Sequence, residues 1–202
     1  MGNFKKVIFV ILIIFLVMPI KAGENTMTVY DKIVKYAKEF SIDPALFMAL
    51  IEQESDFNPN DELYEPNTAS GPDYSCGLTQ ILTHTAAGLG FKLSGNLETD
   101  KEALKDIDKN LYYGAKYLRN RMNRYKDLPL IDQIRTYNSG SPLKTTSSFY
   151  ESNQQYGTNI MKNYEKWKKR MNEASLHSNI KTALVAGVMG SMAIWLDKNF
   201  LG

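Results

Sequence analysis

Apolar positions recur at helical rather than alternating spacing over most of the chain. In residues 27–40, Val29, Ile33, Tyr36, Ala37 and Phe40 fall on one stripe. Asp43-Pro44 reads as a helix start, with Asp as N-cap and Pro at the first helical position. That helix runs through ALFMALIEQES, and Asn58-Pro59-Asn60 stops it. Residues 58–76 are polar and rich in Asn, Pro, Gly, Asp and Ser, which predicts a long irregular loop with room for a short hairpin. A short helix is expected over Gly77 to Ala87, ended by Gly88 and Gly90, and Thr99 to Glu102 has the spacing of a capping box. The strongest helix is Asp106 to Arg124, with Ile107, Leu111, Ala115, Leu118 and Met122 on one face. Gly114 inside it costs about 1 kcal/mol relative to Ala, which implies close packing against another element. Further helices are expected over Leu130 to Tyr137 and from about Tyr156 to Met171, separated by a Ser/Thr-rich loop. No segment alternates convincingly, so the expectation is a mainly α fold with little or no sheet, in one domain over residues 27–172.

The two ends depart from this pattern. A basic MGNFKK stretch precedes 14 uninterrupted apolar residues, Val7 to Ile20, followed by Lys21-Ala22 and a polar change. Residues 1–22 therefore read as a secretory signal peptide or signal anchor, short for a bilayer span of about 20 residues. At the other end, in the apolar stretch 180–202, residues 182–196 (TALVAGVMGSMAIWL) place Ala183/Gly187 and Ala186/Gly190 at small-xxx-small spacing. A marginal membrane span, an interfacial helix and a docking helix all fit that segment. The expected location is outside the cytoplasm, in the periplasm or cell envelope, with 182–196 as a candidate membrane contact.

Composition adds two exclusions. Taking away residues 1–22 removes three of the 24 basic residues and none of the 22 acidic ones, so a net charge of +2 becomes −1. The basic balance belongs to the targeting segment, and nucleic acid is not an expected partner. Cys76 is the only cysteine, and His84 and His177 stand far apart without ligand-like spacing. No disulfide, metal site or cofactor is expected.

The chemistry centres on IEQESDFNPN. Stepping about 100° per residue from Leu46, Phe47, Leu50 and Ile51 fall at about 100°, 40° and 140°, Glu54 at about 80° and Glu52 at about 240°. Glu52 reads as an ordinary solvated residue. Glu54 extends the buried stripe at a helix C-terminus, where desolvation and the helix dipole both penalise its charge and raise its pKa. A carboxyl kept protonated near neutral pH suits general-acid catalysis. On periodicity alone, a side chain curling out of a frayed helix end or capping a loop fits as well.

The motifs around it carry a resemblance. Glu54-Ser55 with Asn58-Pro59, then Gly77-Leu78-Thr79-Gln80, then Asn110-Leu111, Gly114 and Tyr117-Leu118, then Tyr137-Asn138-Ser139-Gly140, follow one another in order. Together they resemble the soluble-type lytic transglycosylase (SLT) family of the lysozyme-like α+β superfamily, over about residues 30–168. The sequence departs from the family pattern at Thr79, where Met is usual, at Ile107, where Pro is usual, and at Gly157, where Val is common.

The resemblance implies a helical domain with a cleft, peptidoglycan glycan strands as substrate, and cleavage of the β-1,4 bond from N-acetylmuramic acid to N-acetylglucosamine. Glu54 would act as acid and then as base, yielding a 1,6-anhydro end without water. Tyr137 would bond or orient Glu54, or serve packing. Gln80 would contact the sugar, or hold a helix end. Asn138 would bind the N-acetyl group, or terminate its helix in the left-handed conformation. Tyr156 would line the cleft, and Ser55 and Ser70 lie near it. Asn110, Gly114, Tyr117 and Leu118 read as fold residues. The Met-to-Thr change at 79 removes an apolar sugar contact. Two other functions fit the scaffold: a goose-type muramidase in which a loop carboxylate such as Asp73 directs water, and a non-catalytic glycan-binding protein. Settings that use such a domain include wall remodelling and secretion, conjugation or phage apparatus.

Overall fold

The structure, a computed structural model, describes residues 27–196, with side chains through 179. The signal segment 1–22 lies outside the described residues, as do the side chains of the 182–196 tail. The first helix, α1 (Val29–Glu39), starts at a reciprocal cap: Thr28 Oγ1 accepts the Asp31 N–H at 3.2 Å, and the Asp31 carboxylate accepts the Thr28 N–H at 3.1 Å. It buries Ile33, Tyr36 and Ala37. The second, α2 (Pro44–Ser55), is capped by Asp43, whose carboxylate accepts the Ala45 N–H at 2.8 Å. Residues 45–51 of α2 are all buried, so this helix is apolar all round and forms the centre of the domain.

After α2 the polar loop folds into β1 (Glu62–Thr68) and β2 (Gly71–Cys76), an antiparallel hairpin joined by a short β3 (Ile81–Leu82) in the order β1-β2-β3. The hairpin allowed by the sequence is therefore longer than expected and is part of a sheet. The helix expected from Gly77 begins only at Thr83, because Gly77–Gln80 turns and residues 81–82 pair with β2. This α3 (Thr83–Gly88) has no cap from its own chain neighbours. Buried Asp73 of β2 supplies one, accepting the N–H groups of Thr83 at 3.2 Å and His84 at 3.0 Å. Then come α4 (Leu97–Leu104), α5 (Ile107–Arg124) and α6 (Leu130–Ser139). The cap of α4 is Asn96, accepting from the Thr99 N–H at 3.0 Å, and not Thr99 itself. Gly140 closes α6 in the left-handed conformation, so Asn138 lies within the last helical turn rather than terminating it.

The last helix, α7 (Tyr150–Leu196), starts six residues before the sequence expectation and runs unbroken past residue 172, where a domain boundary was expected. No Pro interrupts this stretch, and its buried positions Asn153 and Ile160 dock it on the domain. No helix among the described residues is long and apolar enough to cross a membrane. The main core packs α2 against Ile33, Leu78, Leu111, Ala115, Leu118, Ile134 and Ile160. A second cluster of Cys76, Ile81, Ala86, Phe91 and Leu104 lies beneath the hairpin. Burial there pushes the Cys76 thiol up to about 12, which makes it an inert small apolar residue.

Candidate active site

The last turn of α2 carries Glu54, whose side chain is half-buried. Its carboxyl accepts a short hydrogen bond from the Tyr156 hydroxyl of α7. Burial pushes the carboxyl from 4.5 up to about 7, and the Tyr156 bond offsets part of that rise. Tyr156 and Tyr137 are held well above the ordinary tyrosine range, first by burial and then by the Glu54 charge, so both stay neutral donors. Tyr117 packs at a tilt against Tyr137, with ring centroids 5.0 Å apart. The acid thus stands beside Tyr156 and Tyr137, poised near neutrality.

The turn that ends α2 is unusual. Asp56 (φ 48) and Phe57 (φ 64) are consecutive left-handed residues without a glycine. Such backbone costs on the order of 1–3 kcal/mol per residue and persists where its surroundings hold it. Buried Ser55 is one holder, its hydroxyl donating to the Leu78 carbonyl at 2.8 Å. Ser55 therefore braces the helix end from inside and presents no free hydroxyl to the cleft. On the other side of α2, Glu52 is ion-paired with Lys166 and accepts the Trp167 indole N–H at 2.8 Å. The expectation of a plain solvated Glu52 is corrected: both partners come from α7, more than a hundred residues away in sequence.

The Gly77–Gln80 turn lies beside this helix end. The Tyr137 hydroxyl donates to the Thr79 carbonyl at 2.9 Å, not to Glu54. The direct Tyr137–Glu54 bond is thus replaced by one from Tyr156, because the turn offers Tyr137 a carbonyl that its own backbone leaves unpaired. Gln80 sits at φ 46, its amide nitrogen donating to the carbonyls of Asp61 and Gly77 at 3.1 and 3.0 Å while its carbonyl accepts from Ser75 at 3.2 Å. It ties the hairpin base to the turn. Asn110 secures the same turn from α5, accepting the Thr79 N–H at 2.9 Å and donating to the Cys76 carbonyl at 2.8 Å. Asn138 is exposed and bonded to Asn153 at 3.3 Å. Ser70 occupies the hairpin tip, six strand steps or about 20 Å from the hairpin base, and its N–H bonds within the turn to Thr68 at 3.3 Å. The structure gathers Glu54, Tyr156 and Tyr137; it sets Ser70 apart and uses Ser55 as an internal brace.

A family model described as the transglycosylase SLT domain matches residues 31–159. The chain belongs to the transglycosylase SLT family. It is similar to the membrane-bound lytic murein transglycosylase C of Mannheimia succiniciproducens, at 30% identity over 65% of this chain and 36% of that protein. The protein of the same name in Histophilus somni (strain 2336) is 32% identical over 53% of this chain and 29% of that protein. The chain thus spans about a third of the length of the curated relatives it matches. Among solved structures, an inactive mutant of the lytic transglycosylase Slt from Pseudomonas aeruginosa shares the fold, with a TM-score of 0.52 and 19% identity over 70% of this chain and 24% of that one.

Two departures from the SLT family pattern have structural causes here. Thr79 is fully buried and points at α5, where a side chain on Gly114 would overlap it. The Thr in place of Met is thus an interior fit against α5. Gly157 lies under Arg135, whose Cγ and Nε would stand 2.7 Å from an added Cβ. The residues that sequence reasoning missed are Trp167, Lys166 and Phe57. A Trp at 167 on the apolar stripe of α7 was visible, but its partner across the fold was not.

Proposed function

We propose that this chain is an exported peptidoglycan lytic transglycosylase with Glu54 as its single acid and base. The observation that carries the reading is the half-buried Glu54 carboxyl, held by Tyr156 and poised near neutrality. Protonated Glu54 donates to the glycosidic oxygen as the bond from muramic C1 breaks. The resulting carboxylate then takes the proton of the muramic C6 hydroxyl, and that oxygen closes on C1. Atoms balance without water, and no second carboxylate is needed, in contrast to hydrolases with a paired nucleophile or base. Tyr156 orients the acid, Tyr137 shapes the pocket, and Gln80 and Asn138 border the sugar path.

The positions of the hairpin acids favour this over the muramidase reading. Asp73, the candidate for directing water, is fully buried and caps α3 with both oxygens. Glu62 is bound by Lys101 and Lys105. The apolar 7–20 run supports work in the periplasm or cell envelope on glycan strands; 182–196 is the candidate membrane contact, and a secretion, conjugation or phage apparatus a candidate setting. Mass spectrometry of digested sacculi tests the reaction: 1,6-anhydro ends are expected, and reducing ends, heavier by one water, would replace this reading with the muramidase.

A further inference from the structure

We propose that Trp167 is a positioning residue for Glu54, acting through Glu52 and Phe57 to hold the left-handed corner that closes α2. The inference rests on the reading of Glu54 as the acid. One indole touches the chain on both sides of that residue. Its N–H donates to the Glu52 carboxylate at 2.8 Å, and its ring meets Phe57 edge-on at a centroid distance of 5.6 Å and an interplanar angle of 69°. Between these contacts lie Gln53, Glu54, Ser55 and Asp56. The corner is closed by the Asp56 N–H on the Glu52 carbonyl at 3.2 Å and the Asn58 N–H on the Ser55 carbonyl at 2.9 Å.

Phe57 is a bulky residue at φ 64, a conformation the chain does not choose locally. The contact with Trp167 rewards that conformation, because it is what brings the Phe57 ring onto α7. The same helix carries Tyr156, three turns earlier and about 16 Å along the axis. So α7 grips the Glu54 turn twice, its carboxyl at Tyr156 and the flanking Glu52 and Phe57 side chains at Trp167. The charged groups at the Trp167 grip are Lys166 on the Glu52 carboxylate and Arg170 over the indole at 5.0 Å. At the other grip, Tyr137 and Tyr156 face Glu54. An acid displaced by about 1 Å loses up to a hundredfold in rate, so the second grip has a kinetic consequence beyond packing.

Two variants of the full chain test this. Trp167→Phe keeps a ring against Phe57 and removes the N–H; Trp167→Leu removes both. The expected result is a fall in kcat of about tenfold for Phe and about a hundredfold for Leu. KM stays within about twofold, and the alkaline limb of the kcat profile moves to lower pH as Glu54 turns towards water. Carbon-13 NMR of the Glu-labelled chain reads the same coupling without turnover, as a lower Glu54 pKa in both variants. Unchanged kcat and an unmoved Glu54 pKa in folded Trp167→Phe would overturn the proposal, and so would a rise in KM alone. Where Trp167→Leu does not fold, Trp167→Phe carries the result. A wild-type chain that releases no anhydro ends would refute the transglycosylase reading instead, and the NMR titration would still decide the role of Trp167.

Discussion

Glu52 and Glu54 leave the same turn of α2 and enter opposite environments. Glu52 meets a lysine and an indole N–H from α7, partners that suit a charged carboxylate. Glu54 meets tyrosines, and desolvation raises its pKa to about 7. Two residues of spacing rotate a helix by about 200°, and that rotation separates an ion-paired carboxylate from one held by a tyrosine. The comparison also shows that the two depend on each other. The anion side secures the helix end to α7, and α7 brings the tyrosine that holds the acid.

The largest expected effect breaks the pair on the acid side. Glu54→Gln should lower turnover by at least about a thousandfold, measured as release of anhydro ends. It should also make the folded protein more stable above neutral pH. Between pH 4.5 and about 7 the folded chain keeps a proton that the unfolded chain has lost, so wild-type stability falls as pH rises through that window. The advantage of Gln should grow from near zero at pH 4 to about 3 kcal/mol at pH 8, read by urea unfolding. A flat difference across that range would show that Glu54 is not buried as a neutral acid. The next effect is smaller. Tyr156→Phe should lower kcat by about ten- to a hundredfold. Because the lost hydrogen bond favours the carboxylate, the alkaline limb of the pH profile should move upward from about 7. A downward shift would mean that the ring, not the hydroxyl, sets the acid.

Glu54 was legible because helical periodicity states which face a residue occupies before any partner is known. The environment of Glu52 was not, since Lys166 and Trp167 approach it from the far end of the chain. The hairpin was legible only in outline. ELYEPNT contains a Pro, lies mostly exposed and does not alternate, so its pairing depends on the Asp73 cap and on Tyr74, which donates to Glu98 of α4 at 2.7 Å. Gly114 announced a close approach without naming what approaches it; Thr79 proved to be the neighbour. The early start of α7 was hidden by YESNQQYG, whose Ser, Asn and Gly are weak helix formers that tertiary contact overrides.

The third prediction follows from that neighbour. Gly114→Ala should destabilise the fold by about 1–3 kcal/mol, because the new methyl enters the space of buried Thr79. Its effect on turnover should pass through the Thr79 carbonyl that holds Tyr137, and stay below that of Tyr156→Phe. A melting temperature equal to that of the wild type would place Thr79 elsewhere than against α5.

The smallest effect belongs to the far end of the hairpin. Ser70 is exposed, and its backbone N–H bonds to Thr68 without using its own hydroxyl. Ser70→Ala should therefore leave unfolding within about 0.5 kcal/mol of the wild type. Turnover on glycan strands should be unchanged within error, although the sequence alone placed Ser70 near the acid. A tenfold loss of turnover with unaltered stability would mean that the hairpin tip folds over the substrate. The glycan path would then run along the hairpin as well as past Gln80 and Asn138. Such a result would move the boundary of the cleft without moving the acid, because the contacts that fix Glu54 come from α7 and from the Gly77–Gln80 turn.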